Sequence, residues 1–268
     1  MKQIILLVFV LAVLAPAFSQ EEGPKGALEI EAGLEAYFIT GLYDSDGEFH
    51  EATGSPAVYV IPISVMYEFL TGLEAGIKIR YDIQNEDAGD DSGLEQPAIE
   101  VKYTSEFGLG AFIDTYLPFG TEEIVGTDPE FYFDIAVFYD NNFDAFLLYV
   151  ELMYTLTFEG EDDASADVLT ITVQPGYTVM ENLNVNLGIE LIYDLGLTIS
   201  GTAIDDSSAY VVSIIPGVEY KVMDMLKLTL DAPITLFGAS SEANVLGIPL
   251  NIALASWGIR FKATLNLL

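Results

Sequence analysis

Hydrophobic and polar positions alternate with a period of two along most of the chain. Leu28, Ile30, Ala32, Leu34, Ala36 and Phe38 fall on one side, and Glu29, Glu31, Gly33, Glu35 and Tyr37 on the other. Strict alternation describes a strand with one apolar and one wet face. The segment 73–84 is cleaner still, with Leu73, Ala75, Ile77, Ile79, Tyr81 and Ile83 opposite Glu74, Gly76, Lys78, Arg80, Asp82 and Gln84. Wound as a helix, these charges would surround the axis. The same rule predicts twelve strands, near 27–40, 57–69, 73–84, 97–105, 108–119, 131–140, 145–158, 168–179, 183–195, 209–222, 226–237 and 250–267.

The connections between these strands alternate in length. Those at 70–72, 106–107, 141–144, 180–182 and 223–225 are short, whereas the long ones carry the acidic, glycine-rich stretches 44–51, 85–93, 120–130, 159–167 and 201–208. An even number of strands with short turns at one rim and long loops at the other fits an up-and-down antiparallel barrel. A hairpin repeat points the same way. Tyr67, Tyr103, Tyr139, Tyr177 and Tyr220 each precede a short turn on the apolar face, 36 to 43 residues apart. A phenol ring prefers its body in hydrocarbon and its hydroxyl in water, so these five are expected to form a periplasmic aromatic girdle. Tyr59, Tyr81, Phe131, Phe158, Tyr193, Phe237 and Trp257 could form the opposite one. A β-propeller or β-sandwich would imitate the alternation, but neither accounts for tyrosines confined to one rim. Pro62, Pro175 and Pro216 lie inside predicted strands, where the missing N–H favours bulges.

Composition adds the solvent. Half of the residues are apolar, yet there are 42 acidic against 9 basic side chains. Acidity on that scale usually accompanies low hydrophobicity and disorder, so the two residue types must be held apart. The start of the chain supplies an address: Lys2, an apolar run from Ile4 to Leu14, then Ala17-Phe18-Ser19. This reads as a secretory signal peptide over residues 1–19, followed by a single barrel domain over 20–268, because the run is too short for a spanning helix of roughly 20 residues. Removing it leaves 8 basic and 42 acidic residues, a net charge of −34, which argues against nucleic acid as a partner. Cysteine is absent, so disulfides and thiolate metal sites are excluded. Without a long apolar run beyond the leader, a membrane structure would have to be a closed barrel.

In these features the chain resembles bacterial outer-membrane β-barrel proteins of the porin-like class. Members end in a strand bearing a polar residue, a glycine and spaced aromatics. Ser256, Gly258 and Phe261 match that spacing, although the chain continues to Leu268 without the terminal aromatic. The resemblance implies an outer-membrane location, with membrane lipid, the outer-membrane assembly machinery and small solutes as partners.

Candidate chemistry is sparse. The sole histidine, His50, lies in the first long loop, away from any membrane-facing serine of the phospholipase kind. Adjacent loop acids such as Asp90-Asp91 lack the contrasting environments that acid–base catalysis needs. No catalytic residue, cofactor or metal ligand is therefore assigned, though acids around Asp44 and Asp162 could take up Ca²⁺. Alternation instead turns Glu31, Glu35, Lys78, Arg80, Glu100, Asp114, Asp134, Glu151, Glu190, Asp231 and Arg260 toward the interior, because each would be costly in hydrocarbon. Bases on strands three and twelve would face acids on strands five to seven, partly across the barrel. Two expectations follow. One is a narrow, non-enzymatic channel for small cationic or neutral solutes through an acidic lumen. The other is a structural or surface-interaction barrel whose lumen is plugged by these charges together with Phe112, Tyr116, Tyr132, Phe138, Tyr149 and Met153.

Overall fold

The computed structural model describes residues 26–267 apart from positions 53, 55, 87–88, 127–128, 130, 159–163, 200–201, 246–247 and 250–251. The predicted leader lies outside the described residues. Twelve spanning strands form: β1 (Leu28–Tyr43), β2 (Ala57–Leu70), β3 (Leu73–Glu86), β4 (Ala98–Thr104), β5 (Leu109–Tyr116), β6 (Tyr132–Phe143), β7 (Phe146–Thr157), β8 (Ala164–Met180), β9 (Leu183–Ile199), β10 (Ala209–Met223), β11 and β12 (Ala253–Leu267). Strand β11 is made of two pieces, Leu226–Asp231 and Ile234–Ala239, on either side of Ala232-Pro233. Each strand pairs antiparallel with its sequence neighbours, and β1 pairs with β12 from Leu28 opposite Leu267 to Tyr43 opposite Ala253. Among the described residues the sheet thereby closes on itself, so no spanning strand is left as an open edge in the membrane.

The faces are inverted relative to a water-soluble protein. Large apolar side chains point outward: Ile77 is 54 % exposed, and Ile61, Ile63, Ile79, Leu152, Leu187 and Ile259 are exposed with it. The buried positions include small residues such as Ala98, Ala136 and Ala253, acids such as Asp82, Glu100, Asp114 and Asp134, and a minority of larger apolar side chains such as Val60 and Phe138. An apolar outer belt around a polar interior is the arrangement a hydrocarbon solvent demands.

The prolines sit where ladders break. Around Pro62 the β1–β2 register passes from Ala32–Ile63 to Glu35–Val60 with two pairs missing. Around Pro175 the β8–β9 register passes from Val173–Ile189 to Gly176–Asn186. Opposite Pro216 lies the break in β11, where Ala232 N donates to Pro216 O at 2.9 Å and Gly258 N donates to Pro233 O at 2.8 Å. The missing N–H groups therefore fall at interruptions and leave the rest of each ladder intact. In the turn Thr71-Gly72, Gly72 has φ +73°, and a Cβ there would lie 2.1 Å from Thr104 O.

Between the long strands the loops carry short pieces of structure that periodicity did not mark. Phe49–Glu51 pairs back on β1, Gly89–Leu94 pairs back on β3, and Glu122–Val125 makes one helical turn.

Candidate functional site

The interior wall is the candidate site, and neighbouring strands build it in register. One row runs Glu100, Asp114, Asp134 and Thr155 across β4 to β7. Directly opposed carboxylates repel, so each needs a donor. Lys78 supplies it for the first two, donating to Asp114 Oδ2 at 2.7 Å and to Glu100, while Asp134 accepts from Tyr116 Oη at 3.0 Å and Thr155 Oγ1 at 2.6 Å. A second row runs Asn186, Gly217, Asp231, Arg260 and Glu35 across β9, β10, β11, β12 and β1.

The bases on the spanning strands are engaged locally. Arg80 pairs with Glu95 at 3.1 Å, Lys102 with Glu74 at 3.4 Å, Lys227 with Glu219 at 3.2 Å, Arg260 with Asp231 at 3.6 Å and Lys262 with Glu31 at 3.0 Å. Lys78, expected partly across the barrel from Asp114, instead reaches it along the same wall. Most of these pairs join adjacent strands, and Lys78 spans two. By contrast Asp134, Asp140, Glu151 and Glu190 take part in no ion pair among the described residues. Glu151 accepts a hydrogen bond from Tyr149.

Toward the short-turn rim the lumen opens into a cavity of about 430 Å³ lined by Asp140, Tyr149, Gln174, Asn184, Asn186, Glu219, Lys227, Thr229, Asp231 and Lys262. Asn184 Nδ2 donates to Glu219 at 3.1 Å. Gly217 keeps this level wide, since a Cβ there would lie 2.1 Å from Asp231 Oδ1 and 2.5 Å from Asn186 Oδ1. Flanking the acid row on the same strands, Phe112, Phe138 and Tyr149 follow one another at centroid separations of 6.3 and 6.2 Å, and Tyr116 stacks on Tyr132 at 3.9 Å.

The predicted interior residues Lys78, Arg80, Glu100, Asp114, Asp134, Glu151, Glu190, Asp231 and Arg260 all lie on this inner face, partly or fully shielded except for Arg80. Several lining residues, notably Asn186, Glu219, Lys227 and Lys262, were not singled out, although the same alternation marks them. Glu95 carries no such signal. It lies in the connection after Gly89–Leu94, held by Leu94 N donating to Thr121 Oγ1 at 2.7 Å and Glu95 N donating to Arg80 O at 2.9 Å. Burial pushes its carboxyl up to about 7, helped by a hydrogen bond shared with Asp82 and opposed by Arg80.

At the rims, the girdle tyrosines divide: Tyr67, Tyr177 and Tyr220 are exposed, and Tyr103 and Tyr139 are half-buried. In the first long loop Asp44 accepts from Asp46 N, Glu48 N and His50, and the His50 bond holds its carboxyl below the usual range. The Glu161–Asp163 acids lie outside the described residues, and among the described residues no three acids or histidines are grouped to hold a metal.

A family profile described as "Putative MetA-pathway of phenol degradation" matches residues 19–240. The chain belongs to this family. No curated protein sequence matches it significantly. Among solved structures, the COG4313 outer membrane channel from Pseudomonas putida F1 superposes with a TM-score of 0.72 at 13 % identity, covering 93 % of this chain and 98 % of that one. The NanC porin gives 0.52 at 10 % identity, over 90 % and 100 %. The β domain of the Bordetella autotransporter BrkA gives 0.50 at 12 % identity, over 92 % and 100 %. At these identities the likeness is one of fold, and that fold is a porin-like outer-membrane β-barrel.

Proposed function

We propose that this member of the family is a non-enzymatic outer-membrane channel through which small cationic and neutral solutes diffuse. Asp134, Asp140, Glu151 and Glu190 carry the reading, because they line the interior without basic partners while the bases are held by other acids. A lumen with unpaired carboxylates attracts cations and repels anions. The family description refers to phenol degradation. The aromatic inner wall formed by Phe112, Phe138, Tyr149 and the Tyr116–Tyr132 stack would give a neutral aromatic ring a surface to slide along.

In this reading the short turns and both ends of the barrel face the periplasm. Lipid contacts the outward apolar belt, the assembly machinery engages β12, and neither cofactor nor Ca²⁺ enters the transport step. The test is single-channel recording in planar bilayers under a salt gradient. Wild-type protein is expected to give stable, cation-selective steps. Neutralising Asp114, Asp134 and Glu151 together should move the reversal potential toward zero, and an unchanged potential would remove them from selectivity. A second reading is a plugged structural or surface-interaction barrel, favoured by the density of rings and ion pairs along β3 to β7. It predicts electrical silence from a barrel whose heat-modifiable folding has been verified.

A further inference from the structure

The row Glu100, Asp114, Asp134 places carboxylates side by side on three consecutive strands, and the chain fills the space beside the first two with its own ammonium group. Lys78 stands opposite Ala98 in the register, and that small side chain lets the lysine stem cross β4 toward β5. Its Nζ then meets Glu100, Asp114 Oδ2 at 2.7 Å and the face of Phe112 at 5.3 Å from the ring centroid. Two anionic acceptors and a π face make a complete shell for an R–NH₃⁺ group. The stem arrives from outside this shell, so only the ammonium is recognised there. Asp114 is 2 % exposed and its Oδ1 has no partner. The carboxylate is thus committed to this one cation, with acceptor capacity to spare.

We propose that Glu100, Asp114 and Phe112 form a binding seat for a primary ammonium, and that Lys78 is a tethered occupant that determines specificity by keeping amine solutes out of it. Amines crossing the wild-type lumen find this seat already filled by Lys78. Removing the tether exposes a seat that takes an alkylammonium ion. The consequence for transport rests on the channel reading proposed above, whereas the seat itself does not.

Lys78→Ala leaves room for the three carbons and the nitrogen of n-propylammonium, which is therefore the probe. At about ten times its dissociation constant, mass action should raise the thermal transition of the refolded variant by about 3–6 °C. Tetramethylammonium at equal ionic strength, which has no N–H to donate, should not. Wild-type protein should respond to neither, and adding Glu100→Gln and Asp114→Asn to the variant should abolish the rescue. If Lys78→Ala refolds poorly, its refolding yield in the two salts gives the same comparison. Equal responses to both cations, or an equal response in wild type, would overturn the seat. In bilayers, propylammonium should reduce the current of Lys78→Ala and spare that of wild type. Rescue from a barrel that never conducts would leave the seat standing and defeat the channel, while conduction without rescue would do the reverse.

Discussion

Glu95 is where a single side chain carries most consequence. Its carboxyl touches Arg80 at 3.1 Å and shares a hydrogen bond with Asp82, a side chain almost without solvent contact whose Oδ1 lacks a partner. Glu35 adds to this field. Burial, with the neighbouring Asp82 carboxyl, makes Glu95 hold its proton more tightly than a free side chain does, against the pull of Arg80. The sign follows. A carboxyl whose value in the barrel lies above its ordinary 4.5 favours the folded state while protonated. That advantage erodes as pH rises from about 4.5 and is gone above about 7. Raising the pH from 5 to 8 should therefore lower the heat-modifiability midpoint of wild type more than that of Glu95→Gln. Identical shifts would show that Glu95 does not titrate in this window.

At the scale of the element, each strand follows from its alternation, and its exceptions follow from backbone chemistry. Proline cannot donate, so Pro62, Pro175 and Pro216 mark the breaks in their ladders, and the gap in β11 faces Pro216 across the sheet. Alternation continues through such a break, which is why 226–237 reads as one strand although its hydrogen bonding is interrupted at Ala232-Pro233. Glycine acts in the opposite sense at the β2–β3 turn. Gly72→Ala would force an L side chain to positive φ and drive its Cβ against Thr104 O. We expect it to cost about 1–3 kcal/mol, read as a shift in urea unfolding in lipid vesicles.

For the whole molecule, the membrane is the organising solvent. An arginine at Ile79, midway along β3 on the outer belt, should destabilise the barrel by about 2–4 kcal/mol, whereas the same residue at inward Thr172 should cost far less. Urea titrations of the two variants in vesicles check this. Equal costs would deny the two faces their separate solvents.

The sequence by itself determined the twelve strands, their inward and outward faces, and the interior placement of Lys78, Glu100, Asp114, Asp134 and Arg260. A strand's period of two is a local property that hydrocarbon and water each enforce on one side. It did not determine partners. Whether Lys78 faces Asp114 across the lumen or reaches it along the wall depends on which strands are neighbours and on their register, which only barrel closure sets. Glu95 was illegible for the same reason: a loop has no periodicity, and its side chain enters the site because Gly89–Leu94 folds back on β3 and Thr121 anchors Leu94. The cavity beside Gly217 likewise exists only once β9, β10 and β11 lie side by side, because a recess is the absence of a side chain among neighbours supplied by distant parts of the chain.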